Sequence, residues 1–305
     1  MSITRKIFLL HLRTGTLTLG KRTLLMGVLN ITPDSFSDGG QFFAHDRAVK
    51  QALALEKAGA DILDIGAEST RPGSAEISVV EELRRLLPVL QALRGKLKLP
   101  ISIDTRKSAV AEIALGAGAQ IINDVSGLKH DPRIAEIAAA HNCPLILMHM
   151  RGEPGTMQKT AFAKNVLQDV TKGLRTSIAV ARTAGVAKSQ IILDPGIGFG
   201  KSFAQNYELL QKLPDLAKIG YPLMIGTSRK GFLGATLASA GHNASPSRLH
   251  QRQSKPKPIP ADQRLFATAA TVTASILVGA HIVRVHDVAE MAQVAAVTDR
   301  ILCPR

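Results

Sequence analysis

Gly59-Ala60-Asp61-Ile62-Leu63-Asp64 recurs in kind as Gly118-Ala119-Gln120-Ile121-Ile122-Asn123 and as Gly279-Ala280-His281-Ile282-Val283-Arg284. Each copy follows a stretch with helical spacing. The glycine suits the position just past a helix, where a positive φ is needed and a Cβ would be unfavourable. Two aliphatic residues then open a buried strand, and a polar residue stands near its end. Helix, glycine stop, buried strand and polar tip make the rhythm of repeated βα units.

Eight segments of this kind are legible: Leu24–Asn30, Asp61–Gly66, Ile101–Asp104, Ile121–Val125, Leu145–Met150, Ile191–Asp194, Leu223–Ser228 and His281–Asp287. They are continuous aliphatic runs, as expected of parallel strands buried on both faces. Between them lie helical patterns, the clearest being the stripe Val79, Val80, Leu83, Leu86, Leu87 and Leu90, which reads as core. Eight strands predict an α/β chain folded as a single (β/α)8 TIM barrel over residues 24–305, with a doubly wound sheet as the alternative. Residues 1–23 read as a hairpin-like N-terminal extension closing the barrel bottom. From Ser239 to Pro260 the chain is basic and poor in apolar residues, which predicts an exposed insertion after the seventh strand.

Composition sets the remaining bounds. The chain has 305 residues, 45% hydrophobic and 20% charged, enough for one large domain with a substantial core. Aromatics are 4% and Trp is absent, so that core must be aliphatic. Two distant cysteines, Cys143 and Cys303, read as reduced thiols. The run Ile7-Phe8-Leu9-Leu10 is too short for a signal-peptide core, and no stretch is long enough to span a bilayer. A cytoplasmic protein that engages no membrane is expected. The net charge of +14 is scattered and not interleaved with aromatics. That pattern favours anionic small molecules over nucleic acid.

In a barrel of this type the active site lies at the C-terminal ends of the strands. Asn30, Asp104 and Asp194 end three of the predicted strands, Asn123 stands near the end of a fourth, the seventh runs into Ser228-Arg229-Lys230, and the eighth carries Arg284 and His286. Any one of them alone is explained as well by a turn or a helix cap. Six strands ending this way, three of those groups being Lys230, Arg284 and His286, are harder to explain by caps. Asp104, Asp194 and Asn123 suit the donor-rich edge of a 2-amino-4-oxo ring, and Lys230 its carbonyl. Arg284 and His286 suit a phosphate, and Asn30 suits Mg²⁺ held mostly by substrate phosphates. Gly196-Ile197-Gly198-Phe199-Gly200-Lys201-Ser202 mimics a phosphate loop, but Pro195 and Lys201 break both nucleotide-binding glycine patterns, so it reads as a pocket wall beside Asp194.

The stretch Met26-Gly27-Val28-Leu29-Asn30-Ile31-Thr32-Pro33-Asp34-Ser35-Phe36-Ser37-Asp38-Gly39-Gly40 resembles the first signature of the dihydropteroate synthases. Glu68-Ser69-Thr70-Arg71-Pro72-Gly73 resembles their second loop. Ile103-Asp104-Thr105, Ile122-Asn123-Asp124, Met148-His149-Met150, Asp194 to Lys201, Ser228-Arg229-Lys230 and Arg284-Val285-His286-Asp287 follow in the family's order. The resemblance runs from about Leu24 to Leu302. It implies a pterin ring held by Asp104, Asn123, Asp194 and Lys230, with Met148, Val125, Phe199 and Gly226 around it. It implies a pyrophosphate met by Asn30, Arg71, Arg284 and His286 with Mg²⁺, and a p-aminobenzoate site using Thr70, Pro72, Ser228 and the Phe36 loop. Catalysis would fall to Asp104, Asp194, Lys230, Arg284 and His286, and a homodimer is implied. Ile197 stands where some relatives have an aromatic.

Three rivals share parts of this pattern. A pterin-binding methyltransferase has no need of the Ser69–Gly73 loop or of the Arg284–Asp287 end. A non-catalytic basic barrel is free to lose phosphate-facing groups that are all present here. An aldolase or isomerase would show a Schiff-base lysine or an acid–base pair, which Asp194 and Lys230 mimic.

Overall fold

The computed structural model describes residues 5–32, 41–69, 73–153, 155–157, 161–243 and 257–303, with only the backbone described at 41–44 and 241–243. Two short strands, β1 (Phe8–Leu12) and β2 (Gly15–Leu19), form an antiparallel hairpin. Eight parallel strands follow: β3 (Leu24–Asn30), β4 (Ile62–Gly66), β5 (Ile101–Asp104), β6 (Ile121–Asp124), β7 (Leu145–Met148), β8 (Ile191–Asp194), β9 (Met224–Ile225) and β10 (Ile282–Val285). Each pairs with its successor from β3 to β8, β10 lies between β3 and β9, and a parallel bridge from Leu193 to Leu223 joins β8 to the β9 segment. The sheet therefore closes into the expected (β/α)8 barrel.

Helices α1 (Gln41–Lys57), α2 (Val79–Leu93), α3 (Ser108–Gly116), α4 (Arg133–Ala140), α5 (Val166–Thr183), α6 (Phe203–Gln211), α7 (Leu213–Ala217), α8 (Gly231–Asn243), α9 (Leu265–Leu277) and α10 (Val288–Leu302) surround it. Of the expected α2 stripe, Leu86 and Leu90 are buried, Leu83 and Leu87 are partly so and Val80 points to solvent, while Val89 and Leu93, outside that stripe, complete the buried face. Its start is fixed by Ser78, whose hydroxyl accepts the Glu81 N–H. Gly59, Gly118 and Gly279, the stops of the recurring phrase, all have the positive φ that their position requires.

Two aliphatic layers result from the strands' two-residue period. Outward-facing Leu25, Leu63, Ile103, Ile122, Leu147, Leu193, Ile225 and Val283 pack under the helices. Inside the barrel, Leu24, Met26, Ile62, Ile121, Ile146, Ile192, Met224 and Ile282 form a plug at the strands' N-terminal ends. Leu10 and Leu19 of the hairpin join this plug. His281 and Gln190 tie the hairpin down by hydrogen bonds to the Lys6 and His11 carbonyls. Burying each such leucine contributes roughly 2 kcal/mol.

Several strands are shorter than the sequence suggests. β6 ends at Asp124, β7 at Met148 and β10 at Val285, and the seventh strand keeps a ladder only over Met224–Ile225. Past β6 and β7 apolar residues continue at Val125 and Met150, both packed with Met148, whereas β9 and β10 give way to Gly226-Thr227-Ser228 and His286-Asp287. The basic stretch 239–260 is also divided. Ser239–Asn243 continue α8, extending the Ala- and Leu-rich run before them, while 244–256 lie outside the described residues. Cys143 is buried, Cys303 is exposed, and both are free. Among the described residues no helix is long and apolar enough to cross a membrane.

Candidate active site

The plug residues locate the site. Two residues along each strand from an inward-facing aliphatic, the next side chain also faces inward, one layer nearer the C-terminal mouth. Met26 is followed by Val28 and Asn30, Ile62 by Asp64, Ile121 by Asn123, Ile146 by Met148 and Ile192 by Asp194. Met224 is followed by Gly226, and Ile282 by Arg284. On β5 the same parity runs from Ser102 to Asp104. Seven positions expected from the sequence (Asn30, Asp104, Asn123, Met148, Asp194, Gly226 and Arg284) thus fall on one inner surface.

Arg284 is the hub. Its Nε donates to Asp64 Oδ2 at 2.7 Å and its Nη2 to Asp104 Oδ2 at 2.8 Å. Asn123 Nδ2 donates to the same Asp64 oxygen at 3.0 Å. Asp64 is fully buried, Asn123 almost so, and Asp64 Oδ1 and Asn123 Oδ1 have no protein partner. Arg284 is therefore paired with carboxylates across the lumen. Burial raises the Asp104 pKa while Arg284 pulls it back. The Asp194 carboxyl is also raised by burial, opposed by the Gly196 N–H, which donates at 2.7 Å, and by Lys230.

Lys230 and Phe199 meet above this layer, the ammonium lying 4.0 Å from the ring centre. Burial, then Arg284, lower Lys230 to about 8. Phe199 packs with the buried Val125, Met148, Met150 and Met157, an apolar cluster beside Lys230. Lys230 follows Arg229, a non-glycine residue at φ 59° that is held by an ion pair to Asp287 and by its own N–H donating to Thr268 Oγ1. Such a conformation persists only where its surroundings enforce it. Nearby, His286 Nδ1 lies 3.0 Å from Ser228 Oγ, and burial, then Arg284, lower this imidazole to about 3. His286 is neutral at ordinary pH.

The glycine loop before α6 is a wall, as its failed nucleotide patterns imply. Gly196 and Gly200 have positive φ, and a Cβ on either would overlap the carbonyl oxygen of His149 or Arg151. The buried Lys201 ammonium donates to the carbonyls of His149 (3.1 Å), Gly196 (2.9 Å) and Phe199 (3.0 Å), clamping the loop from beneath. Ser202 then starts α6 through a capping box with Gln205.

Sequence reasoning missed Asp64, although it closes the first recurring phrase and stands two residues after Ile62. It also missed a buried cluster outside the lumen, where Lys107 bridges Glu68 and Glu82 at 2.8 and 2.7 Å. No periodic signal marks that cluster. Thr70, Arg71, Pro72 and Phe36 lie outside the described residues.

Asn30 ends β3, half-buried, and its Oδ1 and Asp104 Oδ2 border the same space above Gly66. Among the described residues no three His, Cys, Asp or Glu side chains form a metal cage. A single amide oxygen at the mouth fits a Mg²⁺ ion that takes most of its ligands from water and substrate phosphates.

Comparison with known proteins gives this geometry a family. Residues 26–286 match the pterin binding enzyme model. The dihydropteroate synthase of Synechocystis sp. is 46% identical over 282 residues, 92% of this chain and 91% of that protein. The Clostridium difficile dihydropteroate synthase crystallised with pteroic acid superposes with a TM-score of 0.82 at 42% identity, covering 93% of this chain and 98% of its own. The Xanthomonas albilineans enzyme crystallised with 4-aminobenzoic acid gives a TM-score of 0.83 at 37% identity, covering 98% and 99%. The chain belongs to the pterin binding enzyme family, within its dihydropteroate synthases, which are transferases of folate biosynthesis.

Proposed function

We propose that this chain condenses 6-hydroxymethyl-7,8-dihydropterin pyrophosphate with p-aminobenzoate, giving 7,8-dihydropteroate and pyrophosphate, with the inner-layer residues in the roles the resemblance implies. The observation that carries the assignment of roles is the inner layer itself. Asp104, Asn123 and Asp194 place buried acceptors around one lumen that Lys230 overlooks as a donor. A 2-amino-4-oxo pteridine offers the complementary edge of N–H donors beside a carbonyl. Val125, Met148 and Phe199 supply the apolar wall for its plane. Pteroic acid and 4-aminobenzoic acid, found with the two relatives, fit this pair of substrates.

The reaction breaks the C–O bond at the pterin's exocyclic methylene, leaving positive charge on the pterin and negative charge on pyrophosphate. Asp104 and Asp194 favour the first, and Arg284 the second, as preorganised charges in a site of low polarity. The p-aminobenzoate amine then forms the C–N bond and releases a proton. Mg²⁺, when bound, supplies charge neutralisation to the departing pyrophosphate, and Asn30 is the residue that would hold it. His286, neutral and paired with Ser228, offers an N–H to a phosphate oxygen without a titratable charge. Arg71 is assigned to the pyrophosphate, and Thr70, Pro72 and Ser228 to p-aminobenzoate. A cytoplasmic homodimer completes the proposal.

The test is p-aminobenzoate-dependent release of pyrophosphate from the dihydropterin substrate, with and without Mg²⁺. Lys230→Ala and Asp194→Ala should abolish turnover. Near-normal release by either variant would sink the assignment of roles, and no release by the unmodified chain would sink the activity itself.

A further inference from the structure

Asp64 is given no contact with either substrate in the roles assigned above, yet it is the most buried acid of the inner layer. One of its oxygens accepts both Arg284 Nε–H and Asn123 Nδ2–H. An ionised carboxylate is an acceptor only, so the Asn123 amide cannot turn over without opposing oxygen to oxygen. Its nitrogen is committed to Asp64, and its carbonyl oxygen is left buried and without a protein partner. An unpaired buried acceptor is costly until a donor reaches it.

We infer that Asp64 is a specificity-determining positioning residue: by fixing the Asn123 amide it makes this corner of the lumen read a ligand donor and reject a ligand acceptor. The inference rests on the pterin assignment above and names what that pocket discriminates against. A 2-amino-4-oxo pteridine has donors along the edge concerned, whereas a 2,4-dioxo pteridine places an acceptor there. With Asp64 gone, the Asn123 amide is free to rotate and present either its oxygen or its N–H, so the discrimination narrows. The group acts through other side chains: its pair with Arg284 ties it to turnover as well, so the signature of the Asn123 role is the ratio of the two affinities.

The experiment measures dissociation constants of the full chain for pterin and for lumazine, the 2,4-dioxo analogue, by calorimetry in the presence of pyrophosphate. The unmodified chain should favour pterin. Asp64→Leu, which removes the acceptor, should narrow that preference about tenfold, the worth of one buried hydrogen bond of defined polarity. Asp64→Asn keeps one acceptor oxygen for Arg284 and Asn123 and should retain the preference. Where Asp64→Leu does not fold, Asp64→Thr carries the same comparison, because a hydroxyl donates or accepts and fixes no amide orientation. An unchanged ratio in the Leu or Thr variant, or an equal loss in the Asn variant, overturns the inference. Failure of the unmodified chain to bind pterin at all overturns the pterin assignment instead.

Discussion

The Lys230 ammonium faces the Phe199 ring at 4.0 Å, so the site's donor cation is held by an aromatic face as well as by charge. Such a contact is worth about 1 kcal/mol when partly desolvated, and it favours the protonated amine. Burial and Arg284 work against it, lowering Lys230 to about 8. Phe199→Leu should therefore lower that value further and reduce kcat/KM for the pterin substrate by roughly fivefold on the alkaline side, with little change near neutral pH. The alkaline limb of the pH–rate profile should move to lower pH in the variant. An unmoved limb would show that the ring only fills space.

The same lysine separates activity from stability. In the unfolded chain Lys230 holds its proton up to about 10.4, but in the fold it releases it near 8. Between those values the unfolded state binds more protons, so this group's contribution to stability rises with pH. Under the proposed assignment, the ammonium that donates to the pterin carbonyl loses its proton over the same interval. From pH 8 to 10, kcat/KM should fall in the unmodified chain. In Lys230→Met, the urea midpoint should rise less steeply with pH over that range.

At the other end of the barrel, His281 should make the fold acid-sensitive. Its Nδ1 accepts the Leu223 N–H at 3.2 Å and its Nε2 faces the Lys6 carbonyl at 3.1 Å. This arrangement specifies the neutral ring with its proton on Nε2. Burial lowers its pKa to about 4. The unfolded chain takes up this proton below about 6.5, so stability falls as pH drops from there toward 4. The loss reaches on the order of 2 kcal/mol at pH 5. Buried carboxylates raised in pKa, Asp104, Asp124 and Asp194, oppose it. The clean measurement is thus a difference: His281→Gln should flatten the dependence of the urea midpoint on pH between 6.5 and 4.5, relative to the unmodified chain.

What the sequence revealed of this site follows from one regularity. A parallel barrel strand is short and apolar on both faces, so a polar residue at its end breaks the pattern visibly, as Asp104 and Asp194 do. Asp64 breaks it too, but it lies mid-strand, followed by Ile65 and Gly66, and its partners come from β6 and β10. Only closure of the sheet brings Arg284, 220 residues away in sequence, against it. Lys201 was legible as a residue but not as a clamp, because its three acceptors are backbone carbonyls and carry no sequence signature. The seventh strand keeps a ladder only over Met224–Ile225; its apolar run stops at Ile225, and Gly226-Thr227-Ser228 carry no periodic signal of where pairing ends.

The cluster around Lys107 offers the sharpest stability test. Lys107 is 7% exposed, and its ammonium lies 2.8 Å from Glu68 and 2.7 Å from Glu82. Glu82 also accepts the Thr105 hydroxyl at 2.7 Å, and Glu68 accepts the Ile77 N–H at 3.2 Å. One cation thus joins the residues following β5 to both β4's exit and the first turn of α2. Lys107→Met keeps the volume but leaves two carboxylates buried with little compensation; Arg106, at 3.4 Å from Glu68, reaches only one of them. Removing one partner of a buried ionic group costs roughly 3–5 kcal/mol, far more than the group contributes relative to an apolar replacement. The single variant should therefore lower the urea midpoint strongly, and adding Glu68→Gln and Glu82→Gln should recover most of the loss. A loss below about 1 kcal/mol in Lys107→Met would mean that water already reaches these carboxylates and that the cluster behaves as a surface network. A large loss without recovery would place the effect in packing of the lysine's methylenes.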